Sequence, residues 1–197
     1  MTGLDDAPRT HPLTRAEWRA WLTAHHADTQ GVWLVSWKAV TGRPRVSYDD
    51  AVSEALAFGW VDSLPRRLDA ERTMLYFSRR KPTSAWSRPN KKRVDDLRRQ
   101  GLMTEAGERV IAEAKRNGAW SLLDDVEDLV EPDDLIAALD GTASARVNWD
   151  AFPPSARRGI LEWIVQAKRP ATRARRVAET ARLAAENIRA NQWRGAR

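Results

Sequence analysis

The chain has no cysteine in 197 residues, which removes disulfides, thiol nucleophiles and thiolate metal sites together. Histidine is nearly as scarce, at positions 11, 25 and 26 only. Adjacent histidines on a helix point about 100° apart, so the pair at 25 and 26 makes a poor bidentate site and reads as surface. No histidine lies near the later serines in sequence, which argues against a Ser-His-Asp arrangement. No glycine-rich phosphate loop of the P-loop or Rossmann kind is present, and neither a metal nor a cofactor is expected. No apolar run approaches the roughly 20 residues needed to span a bilayer. The first residues, MTGLDDAP, lack a charged segment followed by an apolar one, so the expectation is no secretory signal and a cytoplasmic protein. Phenylalanine (three) and tyrosine (two) are few, and ten tryptophans take over part of the core-filling.

What is abundant is positive charge, unevenly placed. The net charge is +6 and the isoelectric point near 10.1. Residues 151–197 hold eleven Lys or Arg against three Glu, whereas the earlier part has slightly more acids than bases. Within that earlier part, residues 78–93 carry seven Lys or Arg and no acid, with Pro82, Pro89 and Trp86 among them. A solvated helix face would mix charges and avoid proline. A disordered tail would lack the tryptophan. The run therefore reads as an ordered basic loop built to meet an anion or to anchor a domain.

Periodicity and punctuation predict an α+β fold. Residues 1–13 read as a flexible leader. Thr14 and Glu17 have capping-box spacing and open a helix to about His26, with Trp18, Trp21 and Leu22 on its apolar face. Residues 31–37, 60–63 and 73–78 read as strands, and Ser47 caps a helix over 48–58 that ends at Gly59. The sheet is thus expected to be small and antiparallel, of about three strands, in an α+β lobe over 14–101. Residues 102–197 are expected to be a mainly helical lobe packed as one unit with the first. Helices are predicted over 91–99, from Thr104 to Lys115, from Glu131, over 156–167, and from Thr172 to about Arg189.

Two readings attach to each polar cluster. Asp62, in a tryptophan-rich strand just after a helix end, is either a structural partner of Arg66 or a loop arginine, or a general base beside a cationic pocket. In the basic run, Trp86 is either a core plug, with Ser84 and Ser87 capping the next helix and Asn90 closing a turn, or a stacking plate. On the second reading Arg79, Arg80, Lys81, Arg88 and Lys91 donate to phosphate or carboxylate. Thr172 at a helix start can offer backbone N–H groups to an anion, with Arg173 and Arg176 on one face; the alternative is a solvated amphipathic helix. The most economical functional expectation joins Asp62, Ser63, Arg79, Arg80, Lys81, Ser84, Trp86, Asn90, Lys91, Thr172, Arg173 and Arg176 in one pocket for a small anionic ligand. The competitors are an enzyme at that pocket with Asp62 as base, and a nucleic-acid binder resting on charge alone.

Three segments carry a family resemblance: residues 55–63 (ALAFGWVDS), 78–90 (SRRKPTSAWSRPN) and 167–177 (AKRPATRARRV). Residues 101–107 and 131–135 fit as well. Over about Trp18 to Arg182 the chain resembles the YdeI/OmpD-associated family, bacterial proteins often labelled bacteriocin-protection proteins. The resemblance implies a stress-response role in survival against bacteriocins or antimicrobial peptides. It carries no catalytic residue onto this sequence.

Overall fold

The computed structural model describes residues 4–192 and divides the chain into two units, Met1–Trp120 and Ser121–Arg197. Residues 1–3 of the expected leader lie outside the described residues.

In the first unit the elements run β1 (Arg9–Thr10), α1 (Arg15–His25), β2 (Gly31–Trp37), α2 (Tyr48–Ala57), β3 (Trp60–Arg67), β4 (Arg72–Arg79), α3 (Arg88–Arg99) and α4 (Glu105–Arg116). The helix starts follow their caps. Thr14 Oγ1 accepts from the Glu17 N–H, and Glu17 answers by accepting from the Leu13 N–H. Ser47 Oγ accepts from the Asp50 N–H, and Thr104 Oγ1 from that of Gly107.

The sheet has the order β1-β2-β4-β3. β1 pairs parallel with β2, and the other two pairings are antiparallel. The fourth strand, β1, is two residues long and falls within the stretch expected as a leader. It is held there because Pro8 accepts from the Trp33 N–H and the Trp33 indole donates to Leu4 O at 2.7 Å. β3 and β4 form a hairpin whose turn Asp69 organises. One carboxylate oxygen accepts from the N–H groups of Glu71 and Arg72, the other from the Arg72 side chain. The pairing register shifts between Asp62 and Pro65.

Alternation along the strands sorts the side chains onto two faces. Val32, Leu34, Leu75, Phe77 and Trp60 join Trp18 and Leu22 of α1 and Ala55 and Leu56 of α2 in the main core. Trp33, Val35, Met74 and Tyr76 form a smaller cluster on the other face. Glycine is required at two places around the end of α2. Gly59, at φ +75°, turns the chain from α2 into β3. At Gly107 a Cβ would come within 2.3 Å of the Ala57 carbonyl oxygen, so α4 sits directly against the end of α2. That packing puts α4 in the first unit, past the boundary expected near Gly101. The buried Glu54 of α2 (1% exposed) is held by Arg15 and Arg19 of α1, each at 2.6 Å.

The second unit is helical: α5 (Asp124–Glu127), α6 (Asp133–Asp140), α7 (Ala143–Ala151), α8 (Pro154–Val165) and α9 (Pro170–Ala185). Leu135, Leu139, Trp149, Ile160, Leu161 and Ile164 are fully or almost fully buried. Glu131 ties α7 to the start of α6, accepting both Arg146 η-nitrogens and the Trp149 indole N–H at 2.7–3.0 Å. α9 begins two residues before the expected Thr172, because Pro170 fits a first helical turn rather than ending the segment. It ends at Ala185, four residues short of Arg189. α7 was not expected; Thr142, at its N-cap, makes no side-chain cap bond.

Candidate anion-binding site

The basic run 78–93 has three parts. Ser78 and Arg79 end β4, residues 80–87 form the loop, and α3 begins at Arg88 with Pro89 in its first turn. Asn90 and Lys91 therefore lie in a helix rather than in the loop. The loop crosses back under the core: its Trp86 is 1% exposed, and the Trp86 N–H donates to Ala119 O.

Arg80 follows that tryptophan inward. Its backbone N–H donates to Gly59 O at 3.0 Å, and its side chain is only 7% exposed. Cζ lies 3.9 Å from the centre of the Trp86 ring. Nη2 donates to Ala85 O, whereas Nε and Nη1 are buried without a partner, as is the Trp86 indole nitrogen. A buried cation with unmet donors is costly. Burial pulls the guanidinium down to about 10, against the opposing pull of the Asp62 carboxylate.

Arg80 lines a cavity of about 610 Å³ in the first unit. Phe58, Gly59 and Trp60 supply one wall, Pro82 another, and α4 a third through Ala106, Val110 and Ala112. Its other cations are exposed and engaged. Arg79 donates to the carbonyls of Ala27 and Thr29, Arg116 pairs with Glu113, and Arg109 stands 3.9 Å from Glu105. His26 also lines the cavity, with Nδ1 2.9 Å from Leu22 O.

Asp62 and Ser63 line a different cleft, of about 720 Å³, which shares no lining residue with the first. There the Tyr48 hydroxyl donates to Asp62 Oδ2 at 2.9 Å, and burial together with that bond raises the phenol above its usual range. Tyr48, the first residue of α2, supplies this hydrogen bond, and the Asp62 carboxylate also pulls on Arg80, one of the loop arginines. Leu34, Met74 and Leu75 floor this cleft, and the exposed Arg45 stands at its edge without a partner among the described residues.

The remaining expected site residues have other work. Lys81 is exposed and its carbonyl accepts from the Ser84 N–H; neither residue lines the Arg80 cavity. Asn90 accepts from Arg93, and the Lys91 ammonium lies 5.3 Å from the centre of the Trp120 ring. In the second unit Arg173 forms a two-bonded pair with Asp134 at 2.7 and 2.8 Å. Arg176 donates to Trp163 O and stacks on the Trp163 ring. Thr172 is the third residue of α9. The α4 wall of the cavity escaped the sequence reading, since nothing in residues 105–116 marks it as facing Arg80.

Among the described residues no group of His, Asp or Glu is arranged to hold a metal ion, and no helix is long and apolar enough to cross a membrane. Residues 10–110 match a family described as a domain of unknown function (DUF8412), and residues 128–187 match the family described as Bacteriocin-protection, YdeI or OmpD-Associated. No curated protein and no solved structure matches the chain. The YdeI/OmpD match is thus narrower than the resemblance from Trp18 to Arg182. It takes in the block at 167–177, while the blocks at 55–63 and 78–90 fall in the other domain. The chain belongs to the DUF8412 family through residues 10–110 of its sheet-bearing unit, and residues 128–187 of its helical unit match the family described as Bacteriocin-protection, YdeI or OmpD-Associated.

Proposed function

We propose that the sheet-bearing unit is a binding module for a small anionic ligand, anchored by Arg80 in the cavity between β3, the 80–87 loop and α4. One observation carries the reading. Arg80 is 7% exposed and lines the cavity, yet two of its three guanidinium nitrogens have no partner. Their burial costs free energy that an acceptor oxygen would offset once the guanidinium turns these donors toward the cavity. The exposed Arg79, Arg109 and Arg116 around the same cavity draw anions in, an effect that salt screens. Ligand capture by this unit would be the biochemical step behind a stress or protective role of the whole chain.

The test is thermal unfolding of the full chain with acetate, phosphate and sulfate at constant ionic strength. At least one anion should raise the midpoint of the native protein and leave Arg80→Met unmoved. Equal shifts in both proteins would mean that the anions act elsewhere, and the proposal would fail.

A further inference from the structure

Resting on that reading, we infer that the cavity takes a monocarboxylate with an apolar body, an aryl or alkyl acid, rather than a phosphate ester or polyanion.

Charge is the first argument. Arg80 is the one buried arginine in the lining; Arg79, Arg109 and Arg116 are exposed. Exposed guanidiniums already bonded to carbonyls or carboxylates contribute little to holding a ligand. One buried positive charge matches one negative charge. Further charges on the ligand would be desolvated against Phe58, Trp60, Val110 and Pro82 without a buried counter-charge.

Shape is the second. With Cζ 3.9 Å from the Trp86 ring centre, one face of the guanidinium is covered by the indole. Once the buried donors turn to the cavity, a planar carboxylate can lie in the guanidinium plane and accept there. A tetrahedral phosphate making the same in-plane bonds directs another oxygen toward the covered face. Size is the third argument. About 610 Å³ far exceeds what an acetate fills, and Phe58, Trp60, Pro82, Ala106, Val110 and Ala112 offer apolar surface to the excess beside His26, Glu113 and the exposed arginines.

The experiment is calorimetric titration of the full chain at about 0.15 M ionic strength, where long-range charge effects are screened. The probes are 3-phenylpropionate, acetate, inorganic phosphate, ATP and the uncharged 3-phenylpropanol. Phenylpropionate should bind at least about tenfold tighter than acetate, from burial of its ring. It should also bind at least about tenfold tighter than phenylpropanol, from its charge. Arg80→Met should abolish that binding. So should Ala112→Phe, which fills the cavity from an exposed lining position and keeps Arg80 in place. Phosphate or ATP binding as tightly as phenylpropionate, and lost in Arg80→Met, would overturn the ligand class while leaving the anion site intact. If no probe responds to either substitution, both the class and the site fall together.

Discussion

The Arg80 guanidinium stacks on Trp86 at 3.9 Å while Nε and Nη1 stay unpaired, so the pair joins a satisfied ring contact to an unsatisfied set of donors. Replacing a buried, half-satisfied charge by an apolar side chain of similar length tends to be neutral or favourable. Arg80→Met is therefore expected to leave stability unchanged or raise it by up to about 2 kcal/mol. Urea unfolding of the free protein decides this. A loss of about 3 kcal/mol or more would mark Arg80 as a structural tie.

Glu54 is the opposite case, a buried carboxylate whose two partners are in place. Glu54→Leu leaves Arg15 with Asp50 and Arg19 with the Leu102 carbonyl, and removes the buried part of the clamp between α1 and α2. A loss of about 2–4 kcal/mol in chemical denaturation is expected. The double change with Arg15→Ala should cost less than the sum of the single changes, since the two residues share one interaction.

Glu131 makes the stability of the helical unit depend on acid. The Arg146 hydrogen bonds hold its carboxyl below the ordinary value of 4.5. A depressed folded-state value means that the stabilisation is complete above pH 4.5 and is lost as pH falls through the lower value. Glu131→Gln should therefore be markedly less stable than the native chain at pH 7, with the gap narrowing below pH 4.5. A gap that stays constant from pH 7 to pH 3 would rule out this coupling.

Gly107→Ala tests the contact that brings α4 to the cavity. The added methyl meets the Ala57 carbonyl oxygen at 2.3 Å and its carbon at 2.9 Å; Met103 Cε, at 2.8 Å, can move aside, but the Ala57 backbone cannot. The cost should be about 1–3 kcal/mol in denaturant unfolding, together with weaker binding of any Arg80-dependent anion. Gly141→Ala, whose methyl would meet nothing nearer than 3.5 Å, serves as the mild control.

Local chemistry explains what the sequence made legible. Thr14, Ser47 and Thr104 mark helix starts because a hydroxyl satisfies a backbone donor within three residues. The β-branched and aromatic run Gly31–Trp37 marks a strand in the same local way. β1 was hidden, because two residues become a strand only when a partner strand exists to pair with them. α7 was hidden because Ala145 and Trp149 are buried by neighbouring helices, with no side-chain cap to announce the start. The basic run was readable as ordered, but the burial of Arg80 rather than Arg79 was not. That burial depends on alternation at the end of β4 and on where Trp86 lies, both of which are non-local. Asp62 could be foreseen as needing a partner; that Tyr48, 14 residues earlier, would be one follows only from how α2 lies beside β3.

The register shift in β3 bears on how the protein behaves when crowded. β3 is an outer strand, and an outer strand offers unpaired backbone groups to any extended chain that drifts past. Here the pairing breaks between Asp62 and Pro65, and Pro65 has no N–H to give. At the opposite margin the two residues of β1 cover only Trp33 and Leu34 of β2. The broken pairing and the missing donor make the β3 margin a poor seed for strand-by-strand growth, so an extended chain finds no continuous ladder to join there.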